Sequence, residues 1–555
     1  MSHLVKMTDA NAVAGLQPKN SYGATVYNEY DELNRLTRTV DALNGETLYT
    51  YDLLGNVTSV TDAEGQTTRF ITDGLGRLTE VVDPIIEAPT DKTVRFTLYD
   101  EAGNLLEKVD RKGRATRYTF DELNRLRQAD YVSDGTSEIF TYDHFGDLTF
   151  ADNGWDGYTF TYDLKHRVLS KQEAFLGRTL TYQYDDAGNV IRKTDYQGDV
   201  TEYRYDSTNR LTSERNQAYL QVSYHYDPAG RLLDRILSNG TVTSYRHDED
   251  NRLIELSSRS AGGGFDRSQT YGRDRVGNIT SITDSTGTAT FTHDALYRLT
   301  DADYPGVEED RAYTYDRVGN RTSDTRGGSG TWCYLFNNDG NRLDEVRDGS
   351  PTGPVVYRYV HDANGNRIEW RDGSGGTLIQ SYTYDQKNRL TTLGAYGQVY
   401  HFGYDPFDHR TDKYYGTVEN YSILEGEHLE AVYNWSDVIK AKYLRGTVVD
   451  EIVNGYHYDA QGRDTNTTFH HDHLQSVVGL SGHDGTELQT YRYDPFGYLI
   501  AGTGSTPNSL MYTGRQLDTE TGLYYYRARY YDPEIGRNIP FLSSVNTQCR
   551  CRAKG

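Results

Sequence analysis

The sequence predicts an all-β protein built from tandem β-hairpin repeats. Tyr occurs 49 times and Gly 54 times in 555 residues, whereas hydrophobic residues make up only 36% of the chain. Tyr and Thr favour pleated strands, and Gly, Asn and Asp favour tight turns. An aromatic residue or His followed by Asp also recurs along most of the chain, and a fixed period of this kind is the signature of a repeat architecture.

The repeat is marked by an Asp residue at a mean spacing of 22 residues. Eighteen positions carry it: Asp31, Asp52, Asp73, Asp100, Asp121, Asp143, Asp163, Asp185, Asp206, Asp227, Asp248, Asp274, Asp294, Asp316, Asp339, Asp362, Asp385 and Asp405. A single hairpin is marginal in water, so we expect the array to fold as a sum of neighbouring units. Removal of one whole unit, for example Tyr205–His225, should then shorten the array without abolishing its β structure.

Each unit contains the signals of a strand, a turn and a second strand. In the segment 313–321, Tyr-Thr-Tyr-Asp-Arg-Val-Gly-Asn-Arg, the two Tyr side chains share one face because strands have a period of two. The Asp that follows can start an Asx-type turn. Gly or Asn stands three residues later, as at Gly319 and Asn209, where a positive φ is tolerated. We therefore expect one hairpin per unit, with the Tyr rings stacked along one face of the sheet.

Charge and cysteine content exclude several classes of protein. The net charge of −23 argues against a nucleic-acid partner, which normally requires a basic surface. Three cysteines, Cys333, Cys549 and Cys551, cannot form the disulfide framework of a chain this long. No apolar run is long enough to span a membrane, and residues 1–20 lack the apolar stretch of a signal peptide.

Two sharper interpretations of particular residues remain open at this point. The Tyr rings could form a carbohydrate-binding surface, but their presence in nearly every unit favours packing of the rings against one another within the repeat array. The cluster His470, His471, Asp472 and His473 offers imidazole ligands for a metal ion. Phosphate-binding, zinc-protease and serine-hydrolase motifs are absent from the sequence. We therefore predict no catalytic, cofactor or metal site.

The C-terminal part of the chain carries a different set of motifs. Asp472-His473-Leu474 is followed by Tyr-Arg-Tyr-Asp-Pro-Phe-Gly over 491–497, and then by Gly-Leu-Tyr-Tyr-Tyr-Arg-Ala-Arg-Tyr-Tyr-Asp-Pro over 522–533. The motif residues are Asp472, His473, Asp494, Pro495, Gly497, Gly522, Leu523, Tyr524, Arg527, Arg529, Tyr530, Asp532, Pro533, Gly536 and Arg537. This block closely resembles the core-associated region of Rhs (rearrangement hotspot) proteins, and the array before it resembles their YD repeats.

The resemblance implies a fold and a function. Family members spiral their repeats into a hollow β shell, or cocoon, which the core-associated segment closes by curling inward. The shell encloses a toxin or effector polypeptide, and such proteins are secreted or lie at the cell surface. We accordingly expect four segments: a lead-in over 1–25, the array over 26–410, the core-associated region over 411–537 and a tail over 538–555. The alternative function is a surface protein that binds glycans.

The sequence departs from the family after Arg537. Family members continue to a junction where paired Asp residues resemble an aspartyl protease and release the toxin domain. Here no Asp or Glu occurs from Arg537 to Gly555, and only 18 residues follow Arg537. Because self-cleavage of this type needs two carboxyl groups, we expect the chain to remain intact and to lack the toxin part.

Overall fold

The structure is a computed structural model that describes residues 6–13, 15, 19–21, 23, 25–84, 93–216, 221–306, 309–337, 341–373, 376–416, 418–458, 462 and 464–539. Apart from one helical turn, α1 (Ala10–Val13), and two short 3-10 turns at Ala261–Gly263 and Tyr512–Gly514, its regular elements are all strands. The strands are β1 (Lys6–Met7), β2 (Val26–Tyr30), β3 (Leu36–Asp41), β4 (Glu46–Tyr51), β5 (Val57–Thr61), β6 (Thr67–Thr72), β7 (Leu78–Val82), β8 (Thr93–Tyr99), β9 (Leu105–Val109), β10 (Ala115–Phe120), β11 (Leu126–Tyr131), β12 (Thr136–Tyr142), β13 (Leu148–Asp152), β14 (Gly157–Tyr162), β15 (Val168–Glu173), β16 (Thr179–Tyr184), β17 (Val190–Thr194), β18 (Val200–Tyr205), β19 (Leu211–Asn216), β20 (Gln221–Tyr226), β21 (Leu232–Leu237), β22 (Val242–His247), β23 (Leu253–Arg259), β24 (Asp266–Arg273), β25 (Ile279–Asp284), β26 (Gly287–His293), β27 (Leu299–Asp303), β28 (Arg311–Tyr315), β29 (Arg321–Arg326), β30 (Gly330–Phe336), β31 (Leu343–Asp348), β32 (Val355–His361), β33 (Arg367–Asp372), β34 (Leu378–Tyr384), β35 (Leu390–Ala395), β36 (Gln398–Tyr404), β37 (Arg410–Tyr415), β38 (Val418–Glu425), β39 (His428–Tyr433), β40 (Ile439–Arg445), β41 (Ile452–Tyr458), β42 (Asp464–His471), β43 (Val477–Gly482), β44 (Glu487–Tyr493), β45 (Leu499–Thr503), β46 (Gln516–Asp518), β47 (Leu523–Tyr526), β48 (Arg529–Asp532) and β49 (Arg537–Ile539).

Strands β1 to β45 form one antiparallel sheet in which each strand pairs with the next along the chain. The predicted all-β fold of consecutive hairpins is therefore confirmed. The sheet is continuous across residue 410. The boundary expected there therefore separates two types of sequence, and strand pairing continues across it. A separate four-stranded sheet, β46 to β49, follows and is called the closing sheet below.

The turn of each repeat has the chemistry that the sequence predicts. In the unit after β18, the Asp206 carboxylate accepts hydrogen bonds from the backbone N–H groups of Thr208 (2.8 Å) and Arg210 (3.1 Å). Asn209 has a φ of 63°, as expected for the position where Gly or Asn recurs. The Arg210 guanidinium also binds Asp206, at 2.7 Å. One Asp thus organises both the backbone and the basic side chain of its turn.

Where a repeat carries Arg at this position, the same Arg links it to the next repeat. Arg210 stacks on the ring of Tyr226, 4.9 Å from its centroid, and the Tyr226 hydroxyl donates to the Leu211 carbonyl at 2.8 Å. Equivalent Arg–Tyr stacks join Arg35 to Tyr51, Arg77 to Tyr99, Arg125 to Tyr142, Arg167 to Tyr184, Arg298 to Tyr315 and Arg389 to Tyr404. Ring face and hydroxyl are both used within the wall, which supports packing as the role of these tyrosines.

The sheet winds into a spiral that narrows toward its C-terminal end. Side chains bind across the seam between successive turns of the spiral, and the sequence separation of the partners is smaller at the C-terminal end of the chain than near its start. It is 275 residues for Gln66 and Asn341, 237 for Lys193 and Glu430, and 183 for Arg492 and Glu309. Since neighbouring strands lie about 4.8 Å apart, the wider turn of about 25 strands has a circumference of about 120 Å, and the last turn about 80 Å.

The face of the sheet that carries the tyrosines lies on the inside of the spiral. In β16, Leu180, Tyr182 and Tyr184 are more buried than the Thr and Gln residues that alternate with them. The closing sheet packs on this face and binds wall residues as far apart along the chain as Asn320 and Asp450. A small sheet can reach both only from the concave side. The predicted shell with an inward-curling closing segment is confirmed.

Candidate functional site: the inner closing sheet

The closing sheet is buried on both faces, which explains its run of aromatic residues. Leu523, Tyr525 and Tyr530 pack against wall strands β34 to β36 in a cluster that includes Leu393 and Phe402. The alternate side chains Tyr524, Tyr526 and Tyr531 pack on the opposite side, in a cluster formed mainly by strands β40 to β44. An ordinary half-buried strand alternates apolar and polar residues, whereas a sheet between two walls needs apolar residues on both faces. The sheet thus fills the narrow end of the spiral.

Buried ion pairs fix the position of this sheet against the wall. Arg410 of β37 binds Asp518 at 2.6 Å, and Lys413 binds the other oxygen of the same carboxylate at 2.9 Å. Burial alone would raise the pKa of Asp518, but Arg410 and Lys413 hold it below its usual value. Arg367 of β33 binds Asp532 at 3.1 Å in the same manner. Because each buried charge depends on its partner, removal of either one leaves an unpaired charge in the interior.

Asp472 and His473 lie at a hairpin turn on the inner face of the wall. The Asp472 carboxylate accepts the backbone N–H groups of Leu474 and Ser476, each at 2.8 Å. The His473 ring lies 5.0 Å from the ring of Tyr271, and burial lowers its pKa. These two motif residues therefore serve the turn and its packing.

Asp494, Pro495 and Gly497 form the turn that contacts the closing sheet. Burial raises the pKa of Asp494, whose carboxylate accepts the backbone N–H of Phe496 at 2.9 Å. The Pro495 carbonyl accepts the Tyr512 hydroxyl, and a Cβ at residue 497 would lie 2.4 Å from the Tyr512 ring. Gly497 also has a φ of 87°, so both its conformation and the close approach require glycine.

The remaining motif residues lie in or beside the closing sheet. Arg527 binds Asp450 at 2.6 Å, and Arg537 binds Asn320 at 3.1 Å and stacks over Phe336. Tyr530 and Pro533 are buried, and Arg529 begins strand β48. Gly522 and Gly536 have φ values of 75° and 64°. The structure thus brings the motif of 522–537 together as one unit, with Asp494, Pro495 and Gly497 against it and Asp472 and His473 on the wall nearby.

The histidine cluster does not assemble a metal centre among the described residues. The two ring nitrogens of His470 are occupied by the hydroxyls of Ser258 (2.7 Å) and Ser481 (2.8 Å). Its ring stacks on Phe265 at 3.8 Å, and burial lowers its pKa well below the usual value. His470 is a packing residue at the seam. In the part of the chain that the structure describes, no helix is long and apolar enough to cross a bilayer.

The residues that sequence reasoning missed are the basic partners on the wall. Arg367 and Arg410 stand five residues after their marker Asp, whereas the Arg of an ordinary repeat, such as Arg210, stands four residues after it. Most repeats carry Leu or Val at the fifth position, so an Arg there is the local signal that could have identified these residues. The tail after Ile539, including Cys549 and Cys551, lies outside the described residues, as does the expected absence of a protease pair there. A cavity of about 340 Å³ opens on the inner wall beside Asp472 and Asp494, with an apolar lining that includes Phe291 and Leu299.

Comparison with known families gives a match in each half of the chain. The RHS Repeat family matches residues 30–67, 51–84, 99–137, 162–195, 184–217 and 226–264, and the Teneurin YD-shell family matches residues 268–544. The tRNA3(Ser)-specific nuclease WapA of Bacillus spizizenii is 31% identical over 42% of this chain, but that match covers only 9% of WapA. Double-stranded DNA deaminase toxin A of Burkholderia cenocepacia is 25% identical over 48% of this chain and 20% of its own length.

Solved structures share the fold at low sequence identity. The Tc holotoxin pore of Photorhabdus luminescens, with a substituted TccC3, matches 92% of this chain and 32% of its own chain, with a TM-score of 0.67 and 18% identity. A TcdB2–TccC3–TEV crystal structure matches 95% of this chain and 33% of its own, with a TM-score of 0.64 and 18% identity. The chain therefore spans about a third of these structures and a smaller part of the curated toxins.

Proposed function

Because the chain belongs to the RHS/YD-repeat family and carries its YD-shell, we propose that it is the wall and inner closure of a shell that encloses a toxin or effector polypeptide. The observation that carries this proposal is the tapering spiral whose concave face is sealed at the narrow end by the closing sheet. A structure that served only as a surface scaffold would have no need of a two-sided apolar closure inside its own wall.

The proposal assigns the chain a structural role and not a catalytic one. Its relatives are named as a tRNA nuclease and a DNA deaminase toxin, but this chain matches only 9% and 20% of their lengths. We propose that those activities reside outside the matched part. We also propose that this shell, like the family members it resembles, is exported from the cell that makes it. The tyrosines of the array support a wall better than a glycan surface, because their rings and hydroxyls bind neighbouring repeats.

A protease-protection experiment tests enclosure directly. The last described strand ends at Ile539, which is buried in the inner cluster beside Tyr530. A small reporter domain with a protease site is fused after Gly555, and the same reporter is fused before Met1 as the matched control. We expect the C-terminal reporter to resist cleavage until the shell is denatured, while the N-terminal one is cut at once. Equal cleavage of the two reporters in the folded protein would contradict enclosure.

A further inference from the structure

Two buried carboxyl groups meet one tyrosine hydroxyl at the seam between the two turns of the spiral. Asp156 lies in the hairpin loop between β13 and β14, and Glu173 ends β15. Tyr421 lies in β38, which belongs to the other turn of the spiral. All three residues are 1% exposed or less. The Tyr421 hydroxyl oxygen lies 2.8 Å from a carboxyl oxygen of Asp156 and 2.8 Å from one of Glu173.

A count of hydrogens shows that this arrangement holds an extra proton. A tyrosine hydroxyl has a single hydrogen and can donate it to only one of the two acids. The other short contact therefore needs a carboxyl O–H as its donor. Glu173 accepts the backbone N–H groups of Phe175 and Leu176, whereas Asp156 accepts that of Gly157 at 2.7 Å. Because Glu173 accepts more donors, it is the better anion, and the proton belongs on Asp156.

The surroundings favour the same protonation state. Burial and the neighbouring Glu173 raise the pKa of Asp156 to about 8. The charged and titratable groups that face the cluster come from both turns of the spiral: Tyr158, Lys171 and Tyr196 from one, and Asp405, Asp412 and Glu425 from the other. The Lys171 ammonium donates to the Leu424 carbonyl at 3.1 Å and lies over the Tyr158 ring. It is thus hydrogen-bonded elsewhere than to the two acids.

We propose that Asp156, Glu173 and Tyr421 form a one-proton latch that joins the two turns of the spiral and opens when the proton is lost. Loss of the proton places two anions in contact in a buried site and removes one of the two hydrogen bonds to Tyr421. The seam would then be tightest in acidic solution, would weaken as the pH rises toward 8, and would be loosest in alkaline solution. The latch is a property of the wall and does not depend on what the shell contains.

The direction of the pH effect follows from the raised pKa. Above the usual Asp value of 3.8, the unfolded chain has lost a proton that the closed latch retains. The contribution of the latch therefore declines as pH rises from about 4 and is lost above pH 8. Each unit of pH between about 4 and 8 should therefore favour opening about tenfold, and the effect should level off above pH 8.

Hydrogen exchange at the seam tests the latch. Exchange of the amides of Gly157 and Leu176 is compared between pH 6.5 and pH 9, after correction for the chemical dependence of exchange on pH. In the unaltered protein we expect the corrected exchange at these amides to be about thirtyfold faster at pH 9 than at pH 6.5, because opening gains about tenfold per unit up to pH 8. Asp156→Asn, which keeps the side-chain shape without an ionisable group, should remove that difference. Asp152→Asn, at the end of β13 in the same hairpin, should leave it unchanged.

A second variant tests the latch independently, in case Asp156→Asn does not fold. Tyr421→Phe keeps both acids but removes the hydroxyl that joins them to the other turn, so exchange at the seam should be fast at both pH values. Exchange in the unaltered protein that does not change with pH, or a change that persists in Asp156→Asn or Tyr421→Phe, would overturn the latch.

Discussion

Arg410 and Asp518 form a buried ion pair, 2.6 Å long, that joins the wall of the shell to the sheet that closes it. Each side chain is 5% exposed or less. The pair is separated by 108 residues and connects two sheets that share no backbone-to-backbone hydrogen bond among the described residues. The closing sheet is therefore held mainly by side chains, so a single substitution can weaken its attachment to the wall.

Asp518→Asn should detach the closing sheet without unfolding the array. The substitution leaves Arg410 and Lys413 buried beside a neutral group, which costs about 3–5 kcal/mol. We expect faster hydrogen exchange across 516–539 and a lower melting temperature. Glu107→Gln is the control, since Glu107 pairs with Arg117, which is 61% exposed, and should change stability by less than about 1 kcal/mol. Unchanged exchange in the closing sheet of Asp518→Asn would show that the ion pair does not anchor it.

Acid should weaken the repeat turns in a defined pH range. The Arg167 side chain and the backbone N–H groups of Lys165 and Arg167 outweigh burial and lower the pKa of Asp163 to about 2, from 3.8. A lowered pKa stabilises the folded state above pH 3.8, and that contribution is lost as pH falls toward 2. Urea unfolding of the unaltered protein should therefore need less denaturant at pH 3 than at pH 5.

The matched variants of that experiment are Asp163→Asn and Glu122→Gln. Asp163→Asn should show a smaller difference between pH 5 and pH 3 than the unaltered protein, because one of the titrating groups is gone. Glu122 is an exposed residue of another repeat turn, and its substitution should leave the difference unchanged. An equal pH difference in all three proteins would contradict the role assigned to the turn carboxylate.

Gly479→Ala should separate the two turns of the spiral near His470. A Cβ at residue 479 would lie 2.1 Å from the ring of Phe265, which belongs to the neighbouring turn and stacks on His470. Overpacking of this kind costs about 1–3 kcal/mol. Gly74→Ala is the control, because no atom lies within 4 Å of the added Cβ there. Thermal unfolding should distinguish the two, and the double variant with Phe265→Ala should be less destabilised by Gly479→Ala than the protein that keeps Phe265.

The sequence was informative where the partners of an interaction lie within one or two repeats. The Asp206 turn could be predicted because the carboxylate, the positive-φ Asn209 and the flanking strands all lie within a few residues. The motif of 522–537 could be recognised as a unit for the same reason. The seam could not be predicted, because its partners are 183 to 279 residues apart and every repeat offers similar side chains. Asp156 and Tyr421 carry no signal in the sequence that they meet.

Excision of the unit Tyr205–His225 should destabilise the shell more than the loss of one repeat implies. A simple array would tolerate the deletion, because its stability is a sum over neighbours. In the spiral, however, the deletion shortens the chain between any two seam partners of which one precedes the deleted unit and the other follows it. Lys193 and Glu430 are 237 residues apart, and the deletion removes 21 of them. Either the wider turn closes with fewer strands and tighter curvature, or the partners lose their register and leave buried charges unpaired.

A matched excision at the start of the array isolates the cost of the spiral. Removal of residues 31–51 also deletes 21 residues and rejoins Tyr30 to Asp52, so the Tyr-Asp marker is kept. This segment lies upstream of the seam pairs of Gln66 and Lys193, so their spacing is preserved. It shortens the spacing of Asn11 and Asp274, a contact between a neutral amide and a carboxylate whose loss leaves no buried ion pair broken. Circular dichroism should show β structure in both variants, whereas the melting temperature should fall much further for the excision of 205–225. Equal melting temperatures would mean that the register between turns contributes little, and that each repeat acts as an independent unit of the wall.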